Sequence, residues 1–293
     1  MRHGTVDTTL RFVGQQFVNA GLPDPRKPGG GKELDLPIKN LLSRYKEVDP
    51  ATQHQVAVPV DLIEFVSRQR ACLKQAAIAD LIELQFLFLL RVGEYTMPAV
   101  GTTTRTIQFS REDVTFWKDQ RVLSHHLSFA ELSQADCITL TLRNQKNGKK
   151  NARLTQFNNL KLVNPVHVAA RIVKRVLNAS ALPSTPLCAY RDTAGAISQV
   201  TAADINATVK LAAIAIDLHL RGYDINKVGS HSLRSGGAMA MHLNGVGVPA
   251  IKKLGRWSGD TFMTYIHEQI ASTMQNVSSL MTRRVPNFFN VAV

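Results

Sequence analysis

Apolar positions along this chain change their period twice. Thr8 to Ala20 reads as a short helix with Leu10, Phe12, Val13 and Phe17 on one side, ended by Gly21-Leu22-Pro23. After a Pro- and Gly-rich loop, Leu36 to Tyr45 reads as a second helix and Asp61 to Arg70 as a third. Lys74 to Leu90 is so uniformly apolar that the helix it predicts must be buried on most sides, and Gly93 and Pro98 end the pattern. A two-residue period follows. Thr106 to Phe109, Asp113 to Trp117 and Cys137 to Leu142 read as short strands, and Lys146-Asn147-Gly148-Lys149 as the turn of a hairpin returning along Ala152 to Phe157. Helical spacing then resumes in Val166 to Leu177, in Ala202 to His219 and in three helices between Ser232 and Gln269. The order predicts an α+β fold, mostly helical with a small antiparallel sheet. Residues 1–55 form a short helical segment too small for a core of its own, residues 56–285 the main domain, and 286–293 a tail.

Charge narrows the picture. The 293 residues carry 35 Lys and Arg against 22 Asp and Glu, a net +13. Residues 1–140 are balanced at 16 of each sign, whereas residues 141–293 hold 19 basic and 6 acidic, and Thr141 to Tyr190 has nine cations and no acid. Such a surplus favours a polyanionic partner, because Lys or Arg on a phosphate releases condensed counterions. No apolar run reaches the roughly 18 residues that span a bilayer. The first 25 residues lack the layout of a secretory signal, which places the protein inside the cell. Three isolated cysteines, Cys72, Cys137 and Cys188, match neither a zinc site nor a disulfide framework and read as buried thiols. His125-His126 and Asp136 read as a surface loop, not metal ligands, and there is neither a G-x-S-x-G elbow nor a P-loop.

Candidate chemistry lies at the ends of helices. Arg91 emerges from the interior helix and needs an anionic partner. In Gly229-Ser-His231-Ser-Leu-Arg234, Ser230 or Ser232 can cap a helix at whose positive end His231 and Arg234 would face one anion together with open N–H groups. In Leu254-Gly-Arg256-Trp257-Ser-Gly-Asp-Thr-Phe-Met-Thr-Tyr265-Ile-His267, Tyr265 becomes a nucleophile only where cations stabilise its anion and a base takes its proton.

The order Arg91, Lys146, His231-x-x-Arg234, Tyr265, with Leu-Leu-Arg-Val-Gly-Glu before and Gly-Arg-Trp-Ser…Tyr-Ile-His after, resembles the tyrosine recombinase (phage-integrase-like) family over Val60 to Gln269. Its Gly-Arg-Trp-Ser wording looks most like mobile elements of the Crypton and DIRS type. The resemblance implies an integrase-like catalytic domain over residues 56–285 and DNA cleavage and rejoining through a 3′-phosphotyrosyl bond, with no metal, ATP or other cofactor. Tyr265 would be the nucleophile, Arg91 and Arg234 the phosphate clamp, His231 the base and Lys146 the acid, with Lys149 as its alternative and Glu94 as a brace. Where many members carry His or Trp, nine residues before the tyrosine, this chain has Arg256; either Arg256 or the adjacent Trp257 would fill that place. Lys149, Lys150, Arg153, Lys252 and Lys253 are candidate DNA contacts. The partner implied is double-stranded DNA, gripped by a homotetramer on two duplexes, with no membrane, in the nucleus of a eukaryotic host or the cytoplasm of a prokaryotic one. Family members place a helical clamp before the catalytic domain; residues 1–55 resemble the remnant of such a clamp, either cut short or reduced. A type IB topoisomerase and a degenerate DNA-binding module are the alternatives.

Overall fold

The structure is a computed structural model that describes residues 2–50, 55–98, 107–144, 150–259 and 263. Its contacts divide the chain into two compact units, Met1–Gln53 and His54–Val293.

The first unit pairs α1 (His3–Asn19) with α2 (Leu36–Val48). Helix α1 starts five residues earlier than its periodicity suggests, and the His3 N–H donates to Asp49 Oδ2 at 2.8 Å. Gly14 and Leu42 are its buried residues, while Phe12, Val13 and Phe17, expected to share a packed face, stay exposed, Phe12 at 64%. Two helices have too little surface between them to enclose a core.

In the second unit α3 (Val60–Arg68), α4 (Leu73–Phe88), α5 (Phe129–Leu132), α6 (Pro165–Ala179), α7 (Ala202–Ala215), α8 (Ser230–Leu243) and α9 (Val248–Gly255) accompany a sheet of β1 (Val114–Lys118), β2 (Arg121–Leu123), β3 (Cys137–Leu142) and β4 (Ala152–Phe157). The strands run antiparallel in the order β2-β1-β3-β4, with Leu142 opposite Ala152 at the hairpin end. A separate hairpin joins β5 (Ala189–Arg191) to β6 (Ile197–Gln199). Helix α4 is the centre, packed against α3, α6, α7 and α8, and its all-round apolar surface is thereby accounted for.

Several expectations need correction. Residues 107–109 are no strand: Phe109 donates its N–H to the Glu94 carbonyl and accepts from Leu187, so its partners are loops. Strands β2, β5 and β6, of three residues each, escaped the pattern because three residues carry too little alternation. The Ala202 helix ends at Ala215, where Asp217 turns left-handed (φ 53°) before a 3-10 turn. Cys72 is exposed and not buried, its Sγ capping α4; Cys188 is the buried one, its thiol pushed up to about 12 by burial, and Cys137 lies between. The third of the late helices, the Lys146–Lys149 turn and the 286–293 tail lie outside the described residues.

One feature of the core had no signature. Asp80 and Glu83 of α4 are buried and bind three arginines: Arg70 (2.8 Å to Asp80 and 2.5 Å to Glu83), Arg171 (2.7 and 2.9 Å) and Arg175 (2.5 Å to Asp80). Burial pushes the Glu83 carboxyl up, and Arg171 and Arg70 oppose it.

Candidate active site

The site begins with a helix ending that a leucine is not built for. Leu89 closes α4 in the left-handed conformation, φ 50° and ψ 45°. For a side chain with a Cβ that costs about 1–2 kcal/mol, so something must hold it there. Its carbonyl accepts from Arg234 Nη1 at 2.6 Å and from Arg256 Nη2 at 3.1 Å. Two charge-assisted bonds to one oxygen supply that hold.

Arg234 reaches Leu89 because α8 approaches α4 closely. A Cβ on Gly237 would stand 2.5 Å from the Phe86 carbonyl oxygen, and one on Gly236 would stand 2.2 Å from that of Val58. The Gly-Gly after Arg234-Ser is therefore a packing requirement. The guanidinium, only 2% exposed, also donates from Nη2 to the Gly255 carbonyl and lies 4.4 Å from the Trp257 ring centroid. The indole folds back over Gly255, where a Cβ would meet the ring at 1.6 Å. Trp257 is thus the platform on which Arg234 stacks.

Glu94, 2% exposed, is bound by two arginines. Arg256 grips it with both terminal nitrogens, Nη1 to Oε1 and Nη2 to Oε2, each at 2.9 Å. Arg91 adds Nη1 to Oε1 at 3.2 Å and its own backbone N–H to Oε2 at 2.8 Å. Arg91 keeps a third of its side chain exposed, the most open of the three guanidinium groups. Buried Arg256 Nε has no hydrogen-bond partner among the described residues. Among the described residues, three cations against one carboxylate leave this pocket with a surplus of about two positive charges, a setting for an anion.

The start of α8 differs from expectation. Gly229 is the N-cap; Ser230 and Ser232 lie inside the helix, with Ser232 Oγ accepting from the Gly229 N–H at 3.0 Å. Two of the first N–H groups are already used, Ser230 N–H by Asn206 Oδ1 (2.7 Å) and Ser232 N–H by Gln55 Oε1 (3.2 Å). An anion here would therefore be held by side chains more than by open helix N–H groups. His231, half-buried, occupies the first turn, three residues before Arg234.

The fold thus brings Arg91, Glu94, Arg234, Arg256 and Trp257 together from three separate segments. Tyr265, Lys146 and Lys149 lie outside the described residues. Lys150 and Arg153, beside and on β4, and Lys253 on α9 are exposed, and Lys252 is half-buried. His125 is no ligand: its ring is within 2.8 Å of the Val114 carbonyl and meets Phe116 edge-on, burial pushing its pKa down, while Asp136 accepts from the Asp119 N–H. No group of three potential metal ligands exists among the described residues. Sequence reasoning missed Leu89 and Gln85, a buried amide touching this site; a leucine in a left-handed turn and a glutamine in an apolar helix leave no local mark.

No family model and no curated protein matches the sequence. Solved structures do match the fold. The Tn1549 transposon integrase in complex with a circular intermediate DNA aligns with a TM-score of 0.51 at 14% identity, over 96% of this chain and 80% of the other. The XerH site-specific recombinase bound to a palindromic difH substrate, a post-cleavage complex, aligns with a TM-score of 0.52 at 12% identity, over 93% of this chain and 64% of the other. The α+β architecture is therefore that of an integrase-like catalytic domain.

Proposed function

We propose that this chain cleaves and rejoins DNA strands as a tyrosine recombinase, in line with the fold it shares with structures of DNA-bound recombinases. The observation that carries this reading is the convergence of Arg91, Arg234 and Arg256 around Glu94 and the Leu89 carbonyl, a preorganised cationic pocket. Such a pocket stabilises the charge that builds on the non-bridging oxygens of a pentacoordinate phosphorus. In the proposed reaction Tyr265 Oη attacks the phosphorus and His231 accepts its proton. The 5′-oxygen leaves with a proton from Lys146, or from Lys149, and the 3′-phosphotyrosyl bond keeps the energy needed for rejoining. Arg91 and Arg234 hold the phosphate. Arg256 acts through Glu94, and Trp257 through Arg234. Four copies on two duplexes would exchange strands, inside the cell and in mobile elements of the Crypton or DIRS type, to which the Gly-Arg-Trp-Ser wording points.

The test uses nicked suicide duplexes of randomised sequence. A denaturant-stable protein–DNA adduct is expected, with the 3′-phosphate mapped to Tyr265 by peptide mass spectrometry. An adduct on another residue removes Tyr265 as nucleophile, and binding without any adduct reduces the protein to a DNA-binding module. Lys150, Arg153, Lys252 and Lys253 are the proposed backbone contacts, beside Lys149. With six or more phosphate contacts, affinity should fall by about 10³-fold or more between 50 and 200 mM salt, measured by fluorescence anisotropy; affinity indifferent to salt overturns DNA binding through phosphates.

A further inference from the structure

One buried side chain touches the neighbours of three site residues at once. Gln85, 1% exposed in the last turn of α4, donates from Nε2 to the Ser230 carbonyl at 2.7 Å and to the Leu90 carbonyl at 3.2 Å. Its Oε1 accepts from the hydroxyl of fully buried Tyr95. Ser230 precedes His231, Leu90 precedes Arg91, and Tyr95 follows Glu94. A buried amide could satisfy itself within its own helix turn only in part; here the remaining donor and the acceptor are spent across 145 and 10 residues of sequence.

We propose that Gln85 is a positioning residue that sets the spacing between the Arg91–Glu94 turn and the His231 end of α8. The proposal rests on the recombinase reading of the site. Its physical content is that one planar amide with two donors and one acceptor holds the Leu90 and Ser230 carbonyls and the Tyr95 hydroxyl in register. Apolar packing between the same helices permits sliding. A displacement of about 1 Å between base and phosphate clamp is enough to cost about 10²-fold in rate.

The test compares wild type with Gln85→Met, which keeps volume and loses every hydrogen bond, and Gln85→Glu, which keeps the shape. For Gln85→Met we expect cleavage of the suicide duplex to slow by about 10²-fold while DNA affinity and its salt dependence stay as in wild type. In Gln85→Glu the carboxyl donates only when protonated. Its cleavage rate, taken as a ratio to wild type at each pH so that His231, Glu94 and Tyr95 cancel, should therefore recover as pH falls. Independently of activity, the His231 Cε1–H resonance of DNA-free Gln85→Met should be displaced from its wild-type position. Wild-type cleavage in Gln85→Met, a pH-independent ratio in Gln85→Glu, or an unmoved His231 signal overturns the proposal. Should wild type form no adduct, the functional reading fails and the His231 signal still decides on Gln85. Should Gln85→Met fail to fold, the pH ratio of Gln85→Glu decides.

Discussion

Arg234→Lys is expected to slow strand cleavage by about 10²–10³-fold, the loss typical of one preorganised oxyanion donor, with DNA binding nearly unchanged. Lysine keeps the charge but has neither the fork nor the plane of a guanidinium. It cannot donate to the Leu89 and Gly255 carbonyls together while stacked 4.4 Å from the Trp257 centroid. The Gly255 carbonyl left unpaired would cost about 1–3 kcal/mol, whereas the Leu89 carbonyl keeps its bond from Arg256. The left-handed turn at Leu89, two residues before Arg91, loses one of its two arginine anchors. Single-turnover cleavage under saturating DNA measures the chemical step apart from binding. A rate within threefold of wild type would mean that Arg234 holds the fold together and leaves phosphate charge to Arg91.

Glu83→Ala is expected to destabilise the second unit by about 3–5 kcal/mol, because it leaves buried cations without their counterion. Glu83 is 0% exposed and accepts from Arg70 at 2.5 Å and from Arg171 at 2.9 and 3.0 Å. Asp80 alone would then face Arg70, Arg171 and Arg175. Replacing a partly exposed partner, as in Arg70→Ala, should cost less, since its side chain is 26% exposed and two arginines remain. Urea denaturation followed by circular dichroism measures both. A loss below 1 kcal/mol for Glu83→Ala would show that water or rearranged arginines satisfy the network.

This network also revises the charge argument. The acid-free stretch Thr141–Tyr190 looked like a block of free cations. Yet Arg171 and Arg175 are paired with Asp80 and Glu83, which they share with Arg70, and Arg143 with Glu112 and Asp113 at 3.1 and 2.9 Å. Carboxylates from the balanced half of the chain are spent inside the second half, so the local surplus available to a polyanion is smaller there than a count along the sequence suggests. Lys150 and Arg153, beside and on β4, remain exposed.

The chain's own order of residues determined the helical core element and the paired strands β3 and β4, because period and hairpin chemistry are local properties. Tertiary structure alone decided that Glu94 is a buried clamp between Arg91 and Arg256, and that the Ser230 and Ser232 N–H groups opening α8 are already occupied by Asn206 and Gln55. It also decided that Leu89 turns its carbonyl toward two arginines. Those contacts join residues up to 177 positions apart. Which distant groups meet is set by how closely α8 can approach α4, and that distance is a property of the packed core.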